Sequence, residues 1–401
     1  MAQKILLVNK FYYPRGGDCV VMMNTESMLL SAGYDVAVFA MQYPGTADSP
    51  YKRYFANEVN FSGGISEKLN GLKRTLGLGD IRVSFERILD DFQPDVVHLH
   101  NIHSYLSPIV AQMAHERGIR VVWTLHDYKL LCPAYTCTRE GHPCELCYTD
   151  KSNVLKHRCM KGSLAASAIA WLEAKWWSLK RLEAITDTFI CPSEFMASKM
   201  QLGGFGKQKL KVLCNFIDPQ KLALLQRTDG SERSHYYCYV GRLSEEKGVR
   251  TLLEAAKGIH HELRIAGGGP LADELKEKYA AFPHIKFLGH LDAKGIASLL
   301  SKAKCSVIPS EWYENNPLSV IESLCAGTPV VGAEIGGIPE LIDESTGITF
   351  ESGNAEALAA AIGKAMDKQW SHQAIKDCSI SRFSPEGHLR DLTNIYNTSK
   401  H

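Results

Sequence analysis

Two glutamates eight positions apart, Glu314 and Glu322, bracket a helix-forming run that begins after Asn316 and Pro317. Asn suits a helix cap and Pro the first helical position. The first N–H groups of a helix have no partner in its own ladder and attract anions, so a phosphate-bearing ligand would lie between the two carboxylates. Eight helical steps span roughly 12 Å. The carboxylates of a retaining glycoside hydrolase stand about 5.5 Å apart and those of an inverting one at most about 9.5 Å, so these two fit opposite ends of one ligand. A core helix with Glu322 on its wet side is the plainer alternative.

A second constellation lies in Gly241-Arg242-Leu243-Ser244-Glu245-Glu246-Lys247-Gly248, after the strand-like run Tyr236 to Val240. Arg242 offers a planar fork and Lys247 a compact charge, and both could stabilise a departing diphosphate. Solvated charges around a turn would read the same way. Gly16 and Gly17, between the first strand-like run and a helix-like segment, would let backbone N–H groups approach a phosphate. Gly268, in Gly267-Gly268-Gly269-Pro270, would let a nucleotide lie against the chain or simply turn it. His126 closes another strand and could hydrogen-bond a sugar or a developing charge, with Asp127 to orient it. His98, His100 and His103 end the preceding strand and suit packing, an acceptor or a metal.

Five cysteines, Cys132, Cys137, Cys144, Cys147 and Cys159, crowd one segment. Cys132, Cys144, Cys147 and Cys159 are the set expected to hold a structural zinc, the Cys-x-x-Cys pairing with one thiolate on each flank; reduced, unliganded thiols are the alternative. Trp171, Lys175, Trp176, Trp177, Lys180 and Arg181 follow on one expected helix. Tryptophans packed onto the domain explain the pattern best, and a membrane interface explains it second.

The elements that must position these residues are legible as rhythm. Short apolar runs alternate with helix-length segments, at Ile5 to Val8, Val36 to Ala40, Val96 to Leu99, Val121 to Leu125 and Thr188 to Cys191. The rhythm restarts at Tyr236 to Val240, Leu263 to Ala266, Ile285 to Leu288, Cys305 to Ile308 and Pro329 to Val331. This predicts βαβ units and an α/β chain with two doubly wound, Rossmann-like domains. The expected divisions are residues 1–215, with the cysteine insertion 132–159, a linker 216–234, a nucleotide-sugar-binding domain 235–380, and a C-terminal helix 381–401 returning to the first domain. Ligands of such sheets sit beyond the carboxyl ends of the strands, so two facing domains would make a cleft.

The chain has 401 residues, and 45 Lys plus Arg against 44 Asp plus Glu leave a formal charge of +1, which gives no global electrostatic case for nucleic acid. No apolar run approaches the roughly 20 residues of a membrane span, and the first apolar run is too short for a signal-peptide core. A cytoplasmic protein, peripheral at the inner membrane surface if it touches a bilayer, is expected. That setting favours thiols or metal ligands over disulfides for its 12 cysteines.

Together these segments resemble the retaining glycosyltransferases of family 4, which have the GT-B fold. The family's Glu-x7-Glu element matches Glu314 and Glu322, its diphosphate-binding cations Arg242 and Lys247, its amino-terminal glycine loop Gly16 and Gly17, and its active-site histidine His126. Gly336-Gly337-Ile338-Pro339-Glu340 looks like the family's next glycine-rich turn. The resemblance implies that Glu314 contacts donor-sugar hydroxyls, Glu322 the ribose, and the backbone of Asn316, Leu318 and Ser319 phosphate or sugar. The chain departs from the family's Glu-Gly-Phe-Gly-Leu in reading Glu314-Asn315-Asn316-Pro317-Leu318. Pro317 has no N–H, so amides of Asn315 or Asn316 would have to replace one donor.

The implied function is retaining transfer of a sugar from a UDP- or GDP-linked donor to a glycan or lipid-linked glycan, in cell-surface polysaccharide biosynthesis. No catalytic metal is expected, since Arg242 and Lys247 supply the positive charge. Expected partners are the nucleotide sugar and the acceptor, with peripheral membrane contact and no nucleic acid. A nucleotide-sugar epimerase of the same fold is the nearest alternative, and a zinc-containing adaptor the next.

Overall fold

The computed structural model describes residues 2–61, 65–228 and 232–398. The centre of the expected linker, 229–231, and residues 399–401 of the expected last helix lie outside the described residues. The chain divides into two compact units. One holds the chain up to Arg139, Cys144–Leu213 and the chain from Leu389, and the other holds Glu140–Pro143 and Cys214–His388.

The sheet of the first unit runs, in spatial order, Asp35–Phe39, Lys4–Val8, Val96–Leu99, Arg120–Thr124, Thr188–Cys191 and Leu210–Val212, every neighbouring pair parallel. Ile5, Leu6, Leu7 and Val8 are fully buried, as expected of parallel strands covered on both faces. In chain order the strands read 2-1-3-4-5-6, so the direction of winding reverses between Lys4–Val8 and Val96–Leu99. The loops leaving those two strands meet there: Asn101 N–H donates to Asn9 Oδ1 at 2.9 Å and Lys10 N–H to the Asn101 carbonyl at 2.9 Å.

The sheet of the second unit runs Ile285–Gly289, Glu262–Ala266, Tyr236–Val240, Cys305–Ile308, Val330–Ala333 and Gly347–Phe350, again all parallel. Its order, 3-2-1-4-5-6, is the dinucleotide-binding one, with its switch point between Tyr236–Val240 and Cys305–Ile308. The loops carrying Arg242 and Lys247, and Glu314, leave those two strands. Topology therefore puts the second unit's candidate residues where a doubly wound sheet holds a ligand.

The edge strands Leu210–Val212 and Gly347–Phe350 extend the sequence expectation. The stretch expected as a linker contains a helix, Pro219–Arg227, which Asp218 caps by accepting from the N–H groups of Gln220 at 2.7 Å and Lys221 at 2.9 Å. The tryptophan segment is two helices, Leu164–Trp176 and Leu179–Ala184, broken at Trp177.

Candidate active site

In the second unit Lys247 is the last residue of a single 3-10 turn, Glu245–Lys247, that the left-handed Gly248 ends. A Cβ at Gly248 would stand 1.8 Å from the Pro309 carbonyl oxygen, so this loop lies directly against the one carrying the glutamate. Lys247 Nζ donates to Glu314 Oε1 at 2.6 Å, and Ser310 Oγ donates to the same oxygen at 2.8 Å. The ammonium also lies 4.9 Å from the centre of the Trp312 ring. Burial alone would raise the Glu314 carboxyl; the charge of Lys247 and hydrogen bonds from Lys247 and Ser310 outweigh it and hold the group below its ordinary value.

The backbone of Glu314 is held as firmly. Gly337 N–H donates to its carbonyl at 2.7 Å. Gly336, at φ 62°, comes so close that a Cβ there would stand 2.2 Å from the same oxygen. The glycine-rich turn after Val330–Ala333 is thus the support of Glu314. Ser310 and Trp312 complete the carboxylate's surroundings; sequence reasoning assigned them no role, although both sit beside Glu314 in the chain.

The helix begins one residue later than expected. It spans Leu318–Cys325 and Pro317 is its N-cap, with extended backbone (φ −70°, ψ 123°). The side chain of Asn316 does not cap. Its Oδ1 accepts from Asn215 N–H at 3.0 Å and Cys214 Sγ at 3.2 Å, while Asn215 Nδ2 donates to its carbonyl at 2.8 Å. A residue before proline is pushed out of helical geometry, which freed Asn316 for this tie. Leu318 and Ser319 open the helix, so their N–H groups are among those its ladder leaves over. Glu322, the fifth helical residue, lies just over one turn in. It is ion-paired with Lys221 from the Asp218-capped helix, a partner hidden in the expected linker.

Arg242 is exposed on the loop before Lys247, and its carbonyl accepts from Tyr239 Oη at 2.8 Å. Around Gly268 a Cβ would meet nothing within 4 Å, whereas at Gly267 and Gly269 it would collide with the Gly241–Leu243 backbone, at 2.0 and 2.3 Å. Gly267 and Gly269 are small for packing, and Gly268 faces open space.

In the first unit Gly16 is the extended N-cap of the helix Gly17–Ser31, with open space at Gly17. His126 does not pair with Asp127. Its Nε2 lies 2.9 Å from His100 Nδ1, the two rings stacked at 15°, and burial lowers its pKa. Asp127 instead accepts from Lys129 N–H at 2.9 Å and Asn101 Nδ2 at 3.2 Å, with His103 Nε2 at 3.9 Å. His98 is tied to Thr124 Oγ1 and to Tyr396 Oη, each at 2.7 Å.

Cys132, Cys137 and Cys147 are buried, with Cys137 Sγ 3.7 Å from Tyr148 Oη, while Cys144 and Cys159 are half-exposed. Cys137 has left-handed backbone (φ 49°). Among the described residues no group of three or more His, Cys, Asp or Glu side chains is placed to hold a metal ion. Hydrogen bonds hold the loop, with Lys151 Nζ on the Leu130 and Leu131 carbonyls and Asn153 Nδ2 on the Leu146 carbonyl at 2.9 Å.

The family model described as Glycosyl transferases group 1 matches residues 224–380, and that of Glycosyltransferase Family 4 matches residues 16–221. The chain belongs to glycosyltransferase family 4. This family 4 chain is 32% identical over 192 residues to a glycogen synthase of Mycobacterium tuberculosis, covering 45% of this chain and 46% of that protein. It thus spans about half the length of the glycogen synthases it matches. An uncharacterized 42.6 kDa protein in the cps region of Klebsiella pneumoniae is 27% identical over 354 residues, 84% of this chain and 87% of that one. Among solved structures, Anabaena HepE in complex with UDP and glucose superimposes with a TM-score of 0.63 at 16% identity, over 99% of this chain and 100% of that one. The two Rossmann-like units are those of the GT-B fold, as the family 4 resemblance implies.

Proposed function

We propose that this family 4 chain is a retaining glycosyltransferase that moves a sugar from a UDP- or GDP-linked donor to a glycan or lipid-linked glycan acceptor, in cell-surface polysaccharide biosynthesis in the cytoplasm. The observation that carries the reading is the Lys247–Glu314 pair at the switch point of a dinucleotide-type sheet, with Glu322 one helical turn beyond. Lys247 has three donors, so it can keep Glu314 and still reach a phosphate oxygen. Arg242 and Lys247 neutralise the departing diphosphate, whose oxygen helps deprotonate the acceptor on the same face of the sugar. Glu314 orients the sugar hydroxyls, Glu322 the ribose, and the N–H groups at Leu318 and Ser319 a phosphate. His126 is the first unit's candidate for contact with the sugar, and Gly16, Gly17 and Gly268 leave room beside backbone.

HepE with UDP and glucose supports a nucleotide donor by analogy, and the glycogen synthase relative supports a polysaccharide product. The test is a panel of UDP- and GDP-sugars read first as thermal shifts and then, with acceptor, by the anomeric configuration of the product. A retained configuration supports the reading. Inversion, or conversion of the donor sugar without any acceptor, contradicts it, and the latter would favour an epimerase.

A further inference from the structure

The helix Leu164–Trp176 turns its apolar side to solvent and its polar side to the protein. Its buried residues are Ser167, Ala170 and Glu173. Ser167 Oγ accepts from Met160 N–H at 3.1 Å. Glu173 pairs with Lys129 at 2.9 Å, both side chains less than a tenth exposed, and accepts from Ser104 N–H at 2.9 Å. Leu164, Leu172 and Trp176 are 54%, 41% and 49% exposed. At 3.6 residues per turn, Leu164, Ala168, Leu172 and Trp176 fall within an arc of about 120°.

This arc cannot be turned inward, because rotation would pull Glu173 from Lys129 and leave both charges buried and unpaired. Trp177, just past the helix, is the one tryptophan of the segment that packs inward, its Nε1 donating to the Thr75 carbonyl at 2.9 Å. The expectation that the tryptophans pack onto the domain therefore holds for Trp177 and not for Trp176.

The charges around the arc have one sign. Arg158, Lys161, Lys175 and Lys180 are exposed, and from Lys151 to Leu182 the sole acid is the buried Glu173. Lys175 lies 5.1 Å over the Trp171 ring, and Arg181 lies 5.0 and 4.0 Å over those of Trp176 and Trp177. Apolar and aromatic side chains ringed by cations match the interface of an anionic bilayer, where the rings enter the headgroup layer and the cations meet lipid charge. A second copy fits worse, since a two-fold contact would bring the cations against themselves.

We infer that the exposed face of Leu164–Trp176, with Arg158, Lys161, Lys175 and Lys180, docks this protein on a membrane carrying anionic lipid. This rests on the proposed function only in that it deepens the reading of a lipid-linked acceptor. The docking test uses neither donor nor acceptor, so its failure leaves sugar transfer untouched.

The full-length protein is sedimented with vesicles of phosphatidylcholine alone and of phosphatidylcholine mixed with phosphatidylglycerol. Binding is expected to the mixed vesicles only and to weaken with added salt. Lys161→Gln and Lys180→Gln should each weaken it about fivefold. Leu172→Glu with Trp176→Glu should weaken it about tenfold or more, since the apolar contact is lost, with thermal midpoint and nucleoside diphosphate binding unchanged. Equal binding to both vesicle types, no binding, or full binding by the double variant would each overturn the inference. So would reversible self-association of the wild type that the double variant abolishes, which would assign the face to a second copy.

Discussion

Lys247 Nζ donates to Glu314 Oε1 at 2.6 Å, so the cation proposed for the diphosphate and the carboxylate proposed for the sugar are hydrogen-bonded to each other. The pair also keeps Glu314 ionised despite its burial.

Lys247→Ala should lower turnover about 100-fold or more, as loss of one donor to a developing anion does. Lys247→Met and Glu314→Gln should be strongly non-additive in stability, with a coupling of about 1–3 kcal/mol in a double-mutant cycle read by denaturant unfolding. The first variant strands a buried carboxylate, and the second removes it. Additive effects would mean that the two groups do not support each other.

The buried pair beneath the exposed helix sets a second expectation. Lys129→Met should destabilise the first unit by about 3–5 kcal/mol because Glu173 would be left charged and unpaired, whereas Lys129→Met with Glu173→Leu should recover most of that loss. Chemical denaturation of the three proteins decides it. A double variant no more stable than Lys129→Met would contradict the assignment.

Stability should also fall on mild acidification. Burial pushes the His103 imidazole down to about 3, its ring stacked on Trp123 with centroids 5.4 Å apart. Its folded pKa is below its unfolded one of about 6.5, so the unfolded chain takes up the proton first. The contribution is complete above pH of about 6.5 and is lost progressively as pH drops toward about 3. His103→Gln should flatten the dependence of the unfolding midpoint on pH between about 6.5 and 4.5. An unchanged slope would mean that another group titrates there.

The sheets were legible because parallel strands buried on both faces read as unbroken apolar runs, as Ile5 to Val8 does. The edge strand Leu210–Val212 was not, since Lys211 and Val212 are exposed and carry no such pattern. Asp218-Pro219 reads as a turn, yet it is a cap and a first helical residue, and missing that hid Lys221, the partner of Glu322. Glu314 could be found from its spacing and resemblance. Its tie to Lys247 could not, because the two are 67 positions apart and meet only through the switch point.

The division of labour between the two glutamates is the centre of the account, and titration calorimetry tests it most directly. Bare UDP and GDP and their sugar conjugates are titrated into wild type, Glu322→Gln and Glu314→Gln. Glu322→Gln should weaken the bare nucleotide of the preferred base and its conjugate alike, because it removes the carboxylate placed at the ribose. Glu314→Gln should leave the bare nucleotide unchanged and weaken only the conjugate. The same loss for bare and conjugated nucleotide in both variants, or binding of neither ligand by wild type, would contradict it.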